Sequence, residues 1–477
     1  MTEPRYNPRI FRAYDIRGVA DRDLDDGTIY RIGRAFAAEI HARGLLDRVA
    51  VGRDARLSSP RIREALVRGL CDGGVDVLDV GIVPSPVLYF AAYMREVGGA
   101  IMVTGSHNPA EDNGLKLLLD KGAIYGDAIL RLRAAVEAGD AALPPAARGR
   151  TARPIAVLRP YCDQQRLLVQ LGPRKIKMVV DAGNGPTGPI APDLLRSLGI
   201  DVIEMYCDLD GRFPNHHPDP TVEENLRDLQ AAVVQHGADL GVAYDGDGDR
   251  IGVVDEHGQV IWGDRLLALL ARALLREVPG AAIVGEVKCS DVLFDDIAAH
   301  GGRPIMAAVG HSLIKARMKA EGALLAGEMS GHIFFAHRYF GYDDAIHATL
   351  RLLEILSNEV RPLSALAAEL PATFATPELR LPCDDDLKFD VVASVLARYR
   401  ASHEVVDIDG ARVRFAAGWG LVRASNTGPV LVLRCEARSQ ADCDAIEAEL
   451  RAAVLQATVE LAARQRSAES ATPESAT

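Results

Sequence analysis

The chain lacks the features that would place it in a membrane or outside a cell. No run of apolar residues is long enough to span a bilayer, and the first residues, MTEPRY, contain no apolar signal segment. The seven cysteines are odd in number and dispersed, with no CxxC pair among them. We therefore predict a cytoplasmic protein with reduced cysteines and no membrane partner.

An excess of positive charge is also absent. The formal net charge is −12, which disfavours nucleic acid as a partner. An anionic small molecule remains a possible substrate only if cations gather locally against this overall charge. The apolar content of 48% and charged content of 25% are typical of globular proteins, and 477 residues exceed one core. We expect three or four domains of about 100–150 residues each.

One pattern, a strand, a turn, a helix and a second strand, occurs three times along the chain. Its first strands begin near Val49, Met178 and Ala282. A strand followed by a helix and a second strand is typical of a βαβ unit. The copies lie about 100–130 residues apart, which favours triplication of one α/β domain, although chance similarity of a common unit is the alternative.

The predicted fold class is α/β, with three similar α/β domains that have mixed sheets and a smaller C-terminal α+β domain. We place the α/β domains at residues 1–150, 151–256 and 257–370, and the α+β domain at 371–464. Turn-forming residues around 142–149 and 370–373 predict linkers. The last segment, residues 465–477, has low complexity and is predicted to be disordered.

The most informative segment is the sequence TGSHNP, in which Ser106 follows the apolar run Ala100–Val103. A buried strand that ends at a glycine presents the next hydroxyl at the edge of an α/β sheet, where ligands bind. Pro109 prevents a helix from continuing through this turn. Ser106 is a candidate for covalent chemistry, and an ordinary polar turn is the alternative interpretation.

The sequence DGDGDR places Asp245, Asp247 and Asp249 at alternate positions between two apolar runs. Such carboxylates bind one hard divalent cation, for which we predict Mg²⁺, and Arg250 beside them can contact a phosphoryl oxygen. An EF-hand is the competing interpretation, but Arg250 occupies the position that needs glycine and both flanks resemble strands. A solvated acidic turn is the other alternative, although three adjacent carboxylates repel one another without a cation.

Two further loops combine polar side chains with glycine. GEMSGH holds Glu328, Ser330 and His332, which suit sugar hydroxyls and proton transfer. RASNTGP, which we place in a turn between two strands, offers a guanidinium, two hydroxyls and an amide to a phosphate. A hairpin loop without a ligand is the alternative for the second. Other candidates, each of them a surface charge or aromatic group if taken alone, are Tyr14, Arg17, Lys116, Lys288 and His311.

Together these four loops resemble the α-D-phosphohexomutase family, and the resemblance spans nearly the whole chain in the family's motif order. Met329 makes the chain most similar to the bacterial phosphomannomutase/phosphoglucomutase branch, because phosphoglucosamine mutases typically carry Gln there. Gly428 departs from related enzymes, which often have another residue at that position.

The resemblance implies four domains around a central cleft and a mutase that carries phosphate on Ser106. It implies a hexose 1,6-bisphosphate intermediate, a phosphosugar substrate and Mg²⁺ bound by Ser106 and the three aspartates. The residues it assigns to catalysis are Ser106, Arg17, Lys116, Arg250, His311 and His332. Those it assigns to the substrate are Tyr14, Lys288, His311, Glu328, Met329, Ser330, Gly331, His332, Arg423, Ser425, Asn426 and Thr427.

Three other functions stay open at this point. A phosphoglucosamine mutase would use the same residues on a 2-amino sugar, a serine-dependent metal phosphatase would release phosphate, and a sugar-phosphate sensor would bind without reaction. Neither the preferred sugar nor the general base, among Lys116, His311 and His332, follows from the residues. The chain contains no coiled-coil pattern, so we expect a monomer.

Overall fold

The computed structural model describes residues 7–139, 143, 150–425 and 428–471, with residues 464–471 described as backbone alone. The chain forms two compact units. The first comprises Met1–Gly285, Leu293–Ile305 and Gly310–Glu369, and the second comprises Glu286–Val292, Met306–Val309 and Leu370–Thr477. Most of the predicted linker at 142–149 lies outside the described residues.

The first sheet has seven strands in the order β1-β5-β4-β2-β3-β7, with β6 beside β5. Its strands are β1 (Ile16–Val19), β2 (Arg48–Arg53), β3 (Asp76–Ile82), β4 (Gly99–Val103), β5 (Asp112–Leu119), β6 (Gly122–Ala123) and β7 (Ala152–Pro154). The helices of this region are α1 (Ala20–Asp23), α2 (Asp26–Ala42), α3 (Ser59–Asp72), α4 (Ser85–Met94) and α5 (Asp127–Glu137). The sheet is mixed, because β2, β3 and β4 run parallel whereas β5 runs antiparallel to β4.

The second sheet has five strands in the order β12-β11-β10-β8-β9. The elements here are α6 (Leu158–Leu168), β8 (Lys177–Asp181), α7 (Ala191–Ser197), β9 (Asp201–Met205), α8 (Arg227–His236), β10 (Leu240–Tyr244), β11 (Ile251–Asp255) and β12 (Val260–Ile261). Strands β10 and β11 form an antiparallel hairpin around the acidic loop. This hairpin excludes the EF-hand, which needs a helix on each side.

The third sheet has four strands in the order β14-β13-β15-β16. Its elements are α9 (Gly263–Glu277), β13 (Ala282–Glu286), α10 (Asp291–Ala299), β14 (Arg303–Ala307), α11 (His311–Glu321), β15 (Leu325–Gly327), β16 (Ile333–Phe335), α12 (Ala345–Ser357) and α13 (Leu363–Ala367). The chain thus contains the three predicted βαβ units, which begin at β2, β8 and β13.

The C-terminal sheet is antiparallel, in the order β17-β22-β21-β20-β19 with β18 also beside β22. Its elements are β17 (Phe374–Ala375), β18 (Leu379–Pro382), α14 (Lys388–Arg400), β19 (Val405–Val406), β20 (Ala411–Arg414), β21 (Gly418–Ala424), β22 (Val430–Ala437) and α15 (Gln440–Ala471). The expected fold class, three α/β domains and a smaller α+β domain, is confirmed by these four sheets.

Two details of the C-terminal region differ from the sequence-based expectation. Arg423 lies on strand β21, not in the turn that follows it. Helix α15 continues to Ala471, into the segment 465–477 that the sequence predicted to be disordered. The Ala- and Glu-containing segment after Arg464 has no glycine or proline before Pro473, so the helix is not interrupted there.

Candidate active site

Ser106 lies in the turn after β4, and its side chain is buried. Its backbone has a φ of 49°, in the left-handed region that is uncommon for residues other than glycine. The Ser106 Oγ donates a hydrogen bond to Asp245 Oδ2 at 2.8 Å and lies 3.1 Å from His107 Nδ1. The serine that sequence reasoning selected therefore contacts the acidic loop directly.

The turn that carries Ser106 and the acidic loop pack backbone against backbone. A Cβ atom placed on Gly246 would lie 2.4 Å from the Ser106 carbonyl oxygen. A side chain at residue 246 would therefore push the two loops apart, and this contact explains the glycine between the first two aspartates.

Asp245, Asp247 and Asp249 are fully buried, and each offers a carboxylate oxygen within 4.8 Å of the others. Burial and the charges of its two neighbours raise the pKa of Asp245 well above its ordinary value. Asp247 Oδ1 and Asp249 Oδ1 are buried without a hydrogen-bond partner. Oxygen donors that are unsatisfied and mutually repulsive fit a hard divalent cation, so this acidic trio could hold a metal.

Lys116 on β5 contacts two members of the trio. Its Nζ donates to Asp247 Oδ2 at 2.6 Å and to Asp249 Oδ2 at 2.5 Å. Burial lowers the pKa of Lys116, but these carboxylates outweigh it and raise the pKa well above its ordinary value. The lysine is therefore a charged group of the site and not the surface charge that it would be if read alone.

His332 and Arg250 meet beside the trio. The Arg250 Nε donates to His332 Nε2 at 3.0 Å, and His332 Nδ1 lies 3.1 Å from Asp343 Oδ2. Burial alone would lower the pKa of His332, but Asp249 and Asp343 raise it. Glu328 is buried in the same loop, where its Oε1 accepts the Gly310 amide at 2.7 Å.

His311, the first residue of α11, stacks on His332 with ring centroids 5.6 Å apart. Burial and the nearby Lys315 lower the pKa of His311 well below its ordinary value, which keeps its ring neutral. Tyr14 packs edge-on against His311 at 5.6 Å. Two histidines and one aromatic residue from separate predicted loops therefore meet in the first unit.

The remaining residues of these loops have definite positions. Arg17 on β1 donates to Asp15 Oδ2 at 2.6 Å and to Asn108 Oδ1 at 2.8 Å, which connects it to the Ser106 turn. Gly331 has a φ of 89°, and a Cβ there would lie 2.3 Å from the Ile251 carbonyl oxygen. Met329 and Ser330 are half-buried in the same turn.

The second unit contains the other predicted ligand-binding residues. Lys288 is buried and lies 3.0 Å from Glu378 Oε2, and Arg423 Nη2 lies 3.1 Å from Asp409 Oδ2. Ser425 is buried, and its carbonyl accepts a hydrogen bond from the Lys388 Nζ at 2.7 Å. Asn426 and Thr427 lie outside the described residues.

Sequence reasoning missed Asp343, Lys315, Ser85 and His107, which contact the predicted residues. Lys315 Nζ lies 2.9 Å from Asp343 Oδ1, and Ser85 Oγ donates to Asp247. His107 was part of the quoted TGSHNP motif, so its place next to Ser106 was an available clue. Lys315 lies four residues after His311 on the same helix, which was a further clue, whereas Asp343 and Ser85 belong to none of the motifs.

Known proteins match the chain over most of its length. Models of the phosphoglucomutase/phosphomannomutase α/β/α domains I, II and III match residues 8–142, 160–258 and 262–374, and a C-terminal domain model matches 378–453. A phosphomannomutase/phosphoglucomutase from Pseudomonas aeruginosa is 46% identical over 449 residues, covering 94% of this chain and 96% of the relative. A phosphoglucomutase from Neisseria gonorrhoeae is 45% identical over 448 residues, covering 93% of this chain and 96% of the relative.

A solved structure agrees with these matches. The phosphoglucomutase/phosphomannomutase family protein from Burkholderia thailandensis superposes with a TM-score of 0.88 at 44% identity, covering 95% of this chain and 98% of that one. Fold and site together define a phosphosugar mutase, an enzyme that moves phosphate on a hexose. The chain belongs to the phosphoglucomutase/phosphomannomutase family of α-D-phosphohexomutases.

None of the helices in the described residues combines the length and the apolar character that a membrane span requires.

Proposed function

We propose that this mutase interconverts the 1-phosphates and 6-phosphates of mannose and glucose and carries the transferred phosphate on Ser106. The observation that carries the proposal is the buried Ser106 Oγ, 2.8 Å from Asp245 at the acidic trio. The names of the relatives, which include both phosphomannomutase and phosphoglucomutase, support the choice of sugars.

The proposed reaction has two phosphoryl transfers. In the first, the bond between the Ser106 Oγ and phosphorus breaks while the free sugar hydroxyl forms a new bond to phosphorus and loses its proton. The resulting hexose 1,6-bisphosphate then turns over. In the second transfer the Ser106 Oγ forms a bond to the phosphorus of the other phosphate while the bond between that phosphorus and the sugar oxygen breaks, and the sugar oxygen takes up the proton released in the first step. In the first transfer Ser106 is the phosphate donor, so its hydroxyl does not need to be activated as a nucleophile against water; in the second transfer the Ser106 Oγ is itself the nucleophile.

We propose Mg²⁺ as the cation of the acidic trio, held by Asp245, Asp247, Asp249 and an oxygen on Ser106. When bound, it supplies positive charge that offsets the charge on the transferred phosphoryl group. Arg250 and Arg17 add fixed positive charge beside the same serine. The buried Oδ1 atoms of Asp247 and Asp249, which accept no hydrogen bond, support this ligand set.

The other residues bind the sugar, its second phosphate or a proton. Glu328, Ser330 and the surrounding Met329–His332 turn would bind sugar hydroxyls. The candidates for moving the proton are His311, whose ring is neutral, His332, whose Nε2 accepts a hydrogen bond from Arg250, and Lys116. The residues proposed to bind the second phosphate are Tyr14, Lys288, Arg423, Ser425, Asn426 and Thr427.

We further propose that the enzyme acts as a monomer in the cytoplasm. The seven cysteines are all free thiols in the structure, which suits a reducing compartment.

Mass spectrometry and coupled assays test the function. We expect a species about 80 Da heavier than the sequence mass, with the modification on Ser106. Ser106→Ala should lose this species and nearly all mutase activity, whereas Ser197→Ala on the surface helix α7 should keep both. Activity on mannose and glucose 1-phosphates should exceed that on glucosamine 1-phosphate.

Other results would point to the alternative functions. Preference for glucosamine 1-phosphate would indicate the amino-sugar mutase, and net phosphate release without a bisphosphate requirement would indicate a phosphatase. An unmodified serine with ligand binding alone would indicate a sensor.

A further inference from the structure

Arg56, in the turn between β2 and α3, has a fully buried side chain and binds the backbone of the Ser106 turn. Its Nη2 donates to the carbonyl oxygens of Ser106 and Asn108, each at 2.6 Å. Its Nη1 donates to the carbonyl of Asp112 at 3.0 Å and to that of Pro109. One planar guanidinium therefore joins four carbonyl groups of residues 106–112.

Asp54 holds this guanidinium and also binds the other side of the serine. Its Oδ2 lies 3.2 Å from Arg56 Nε and accepts the Gly105 amide at 3.2 Å. Its Oδ1 accepts the Ser59 hydroxyl at 2.5 Å and the Arg56 amide at 3.0 Å. Asp54 therefore binds the N–H of Gly105, the residue before Ser106, and Arg56 binds the carbonyl oxygen of Ser106 itself.

The backbone of Ser106 needs such a restraint. A left-handed conformation at a residue other than glycine is strained and persists only when the surroundings fix it. This conformation also sets the direction of the Cα–Cβ bond, and therefore whether Oγ reaches Asp245. Gly246 packs against the same carbonyl oxygen that Arg56 binds, so both groups act on one peptide.

We propose that Arg56, fixed by Asp54, is a positioning residue for phosphoryl transfer, because it holds the Ser106 peptide so that Oγ faces the acidic trio. This inference rests on the proposed role of Ser106 as the phosphate carrier. Lysine cannot replace Arg56, since one ammonium group cannot bind four carbonyls through a planar set of donors. If Arg56 had only a structural role, its substitution would lower the stability of the protein and leave the turnover of the folded molecules unchanged.

The test is Arg56→Lys in the full-length protein, compared with Arg61→Lys. Arg61 is a matched control, because it lies on α3 and also donates to backbone carbonyls, those of Ala20 at 2.8 Å and Leu24 at 3.1 Å. For each variant we would measure kcat and KM for glucose 1-phosphate, the rate of Ser106 phosphorylation by glucose 1,6-bisphosphate, and the thermal midpoint.

We expect kcat and the phosphorylation rate of Arg56→Lys to fall by about 10- to 100-fold per folded molecule, since a misplacement of about 1 Å has effects of this size. KM should change by less than about threefold, because uniform substrate binding is retained. Arg61→Lys should keep the wild-type kcat. An unchanged kcat in Arg56→Lys, an effect on KM alone, or the same fall in Arg61→Lys would overturn the inference.

Two further variants separate the possible failures. If Arg56→Lys does not fold, Asp54→Asn, which keeps the guanidinium, should show the same fall in kcat and in the phosphorylation rate with little change in KM. If neither variant folds, Arg56 is needed for folding and the inference is overturned. Ser106→Ala that stays active would refute the proposed function itself. An inactive Ser106→Ala together with a fully active Arg56→Lys would refute the positioning role alone.

Discussion

At the scale of single residues, the site is a balance of buried charges. Three carboxylates offer oxygens within 4.8 Å of one another, the Lys116 ammonium contacts two of them, and all four groups are almost completely shielded from water. Charges at this depth interact strongly because the surroundings screen them weakly. Lys116 therefore neutralises two carboxylates that a divalent cation would also neutralise.

The Lys116→Met variant tests this competition. With the ammonium removed, the trio loses its compensating charge, so we expect a lower thermal midpoint in EDTA than that of the wild type. Mg²⁺ should then raise the midpoint of the variant by more than it raises that of the wild type, because binding to the folded state stabilises it. Differential scanning fluorimetry over a Mg²⁺ titration measures both values.

Lys388→Met is the matched control, since Lys388 is also a buried lysine with a carboxylate partner, Asp385 at 2.7 Å. This variant should lose stability without a larger response to Mg²⁺. Equal Mg²⁺ responses in the Lys116 variant and the wild type would contradict the assignment of the trio as the cation site.

At the scale of elements, the sequence predicted local units well and long-range contacts poorly. The βαβ units and the hairpin around Asp245–Asp249 follow from apolar runs that end at glycine, a local pattern. Arg423 was predicted in a turn because the polar, glycine-containing segment RASNTGP is typical of turns, whereas strand β21 extends through Arg423 to Ala424. The contact between Asp343 and His332 depends on how β16 and the next loop fold back, which no local pattern encodes.

Helix α12 begins at another contact that the sequence did not predict. Asp344 caps the helix by accepting the His347 amide at 2.9 Å, and it also accepts the hydroxyls of Tyr161 at 3.0 Å and Tyr339 at 2.6 Å. Burial raises the pKa of Asp344 to about 6, from an ordinary value of 3.8. The folded protein therefore binds a proton here more readily than the unfolded chain does.

The sign of the resulting pH dependence is fixed by this shift. Because the pKa of Asp344 is higher in the folded state, its contribution to stability is complete below about pH 4 and is lost as the pH rises through about 6. We expect the wild type to gain about 1 kcal/mol relative to Asp344→Asn when the pH falls from 7 to 5. Urea denaturation of both proteins at the two pH values measures this difference.

Tyr161→Phe provides a second check on the sign. The Tyr161 hydroxyl stabilises the Asp344 carboxylate, so its removal should raise the pKa of Asp344 further and move the transition to higher pH. A difference between wild type and Asp344→Asn that does not change with pH, or a transition that moves downward in Tyr161→Phe, would contradict this account.

At the scale of the whole molecule, the two compact units contain different parts of the proposed chemistry. The first unit contains Ser106, the acidic trio and both histidines, whereas the second contains Lys288, Arg423 and Ser425. Tyr14 lies in the first unit, whereas the other residues proposed to hold the second phosphate that the structure describes, Lys288, Arg423 and Ser425, lie in the second unit. Substitutions in the two units should therefore change different kinetic quantities.

Arg423→Gln in the second unit tests the division. Arg423 is buried beside Asp409, and the guanidinium is proposed to bind the phosphate that does not react. We expect KM for glucose 1-phosphate to rise by about 10- to 100-fold, because a charge-assisted hydrogen bond contributes about 1.5–3 kcal/mol. The fraction of purified enzyme with phosphate on Ser106 should match the wild type, since no residue around that serine changes.

Steady-state kinetics and intact-protein mass spectrometry provide the two readouts for Arg423→Gln. The control is Arg380→Gln, which replaces an exposed arginine of the same unit. A variant with unchanged KM and lost phosphoserine would show instead that Arg423 acts on the phosphate carrier, and the two units would then not divide the chemistry in this way.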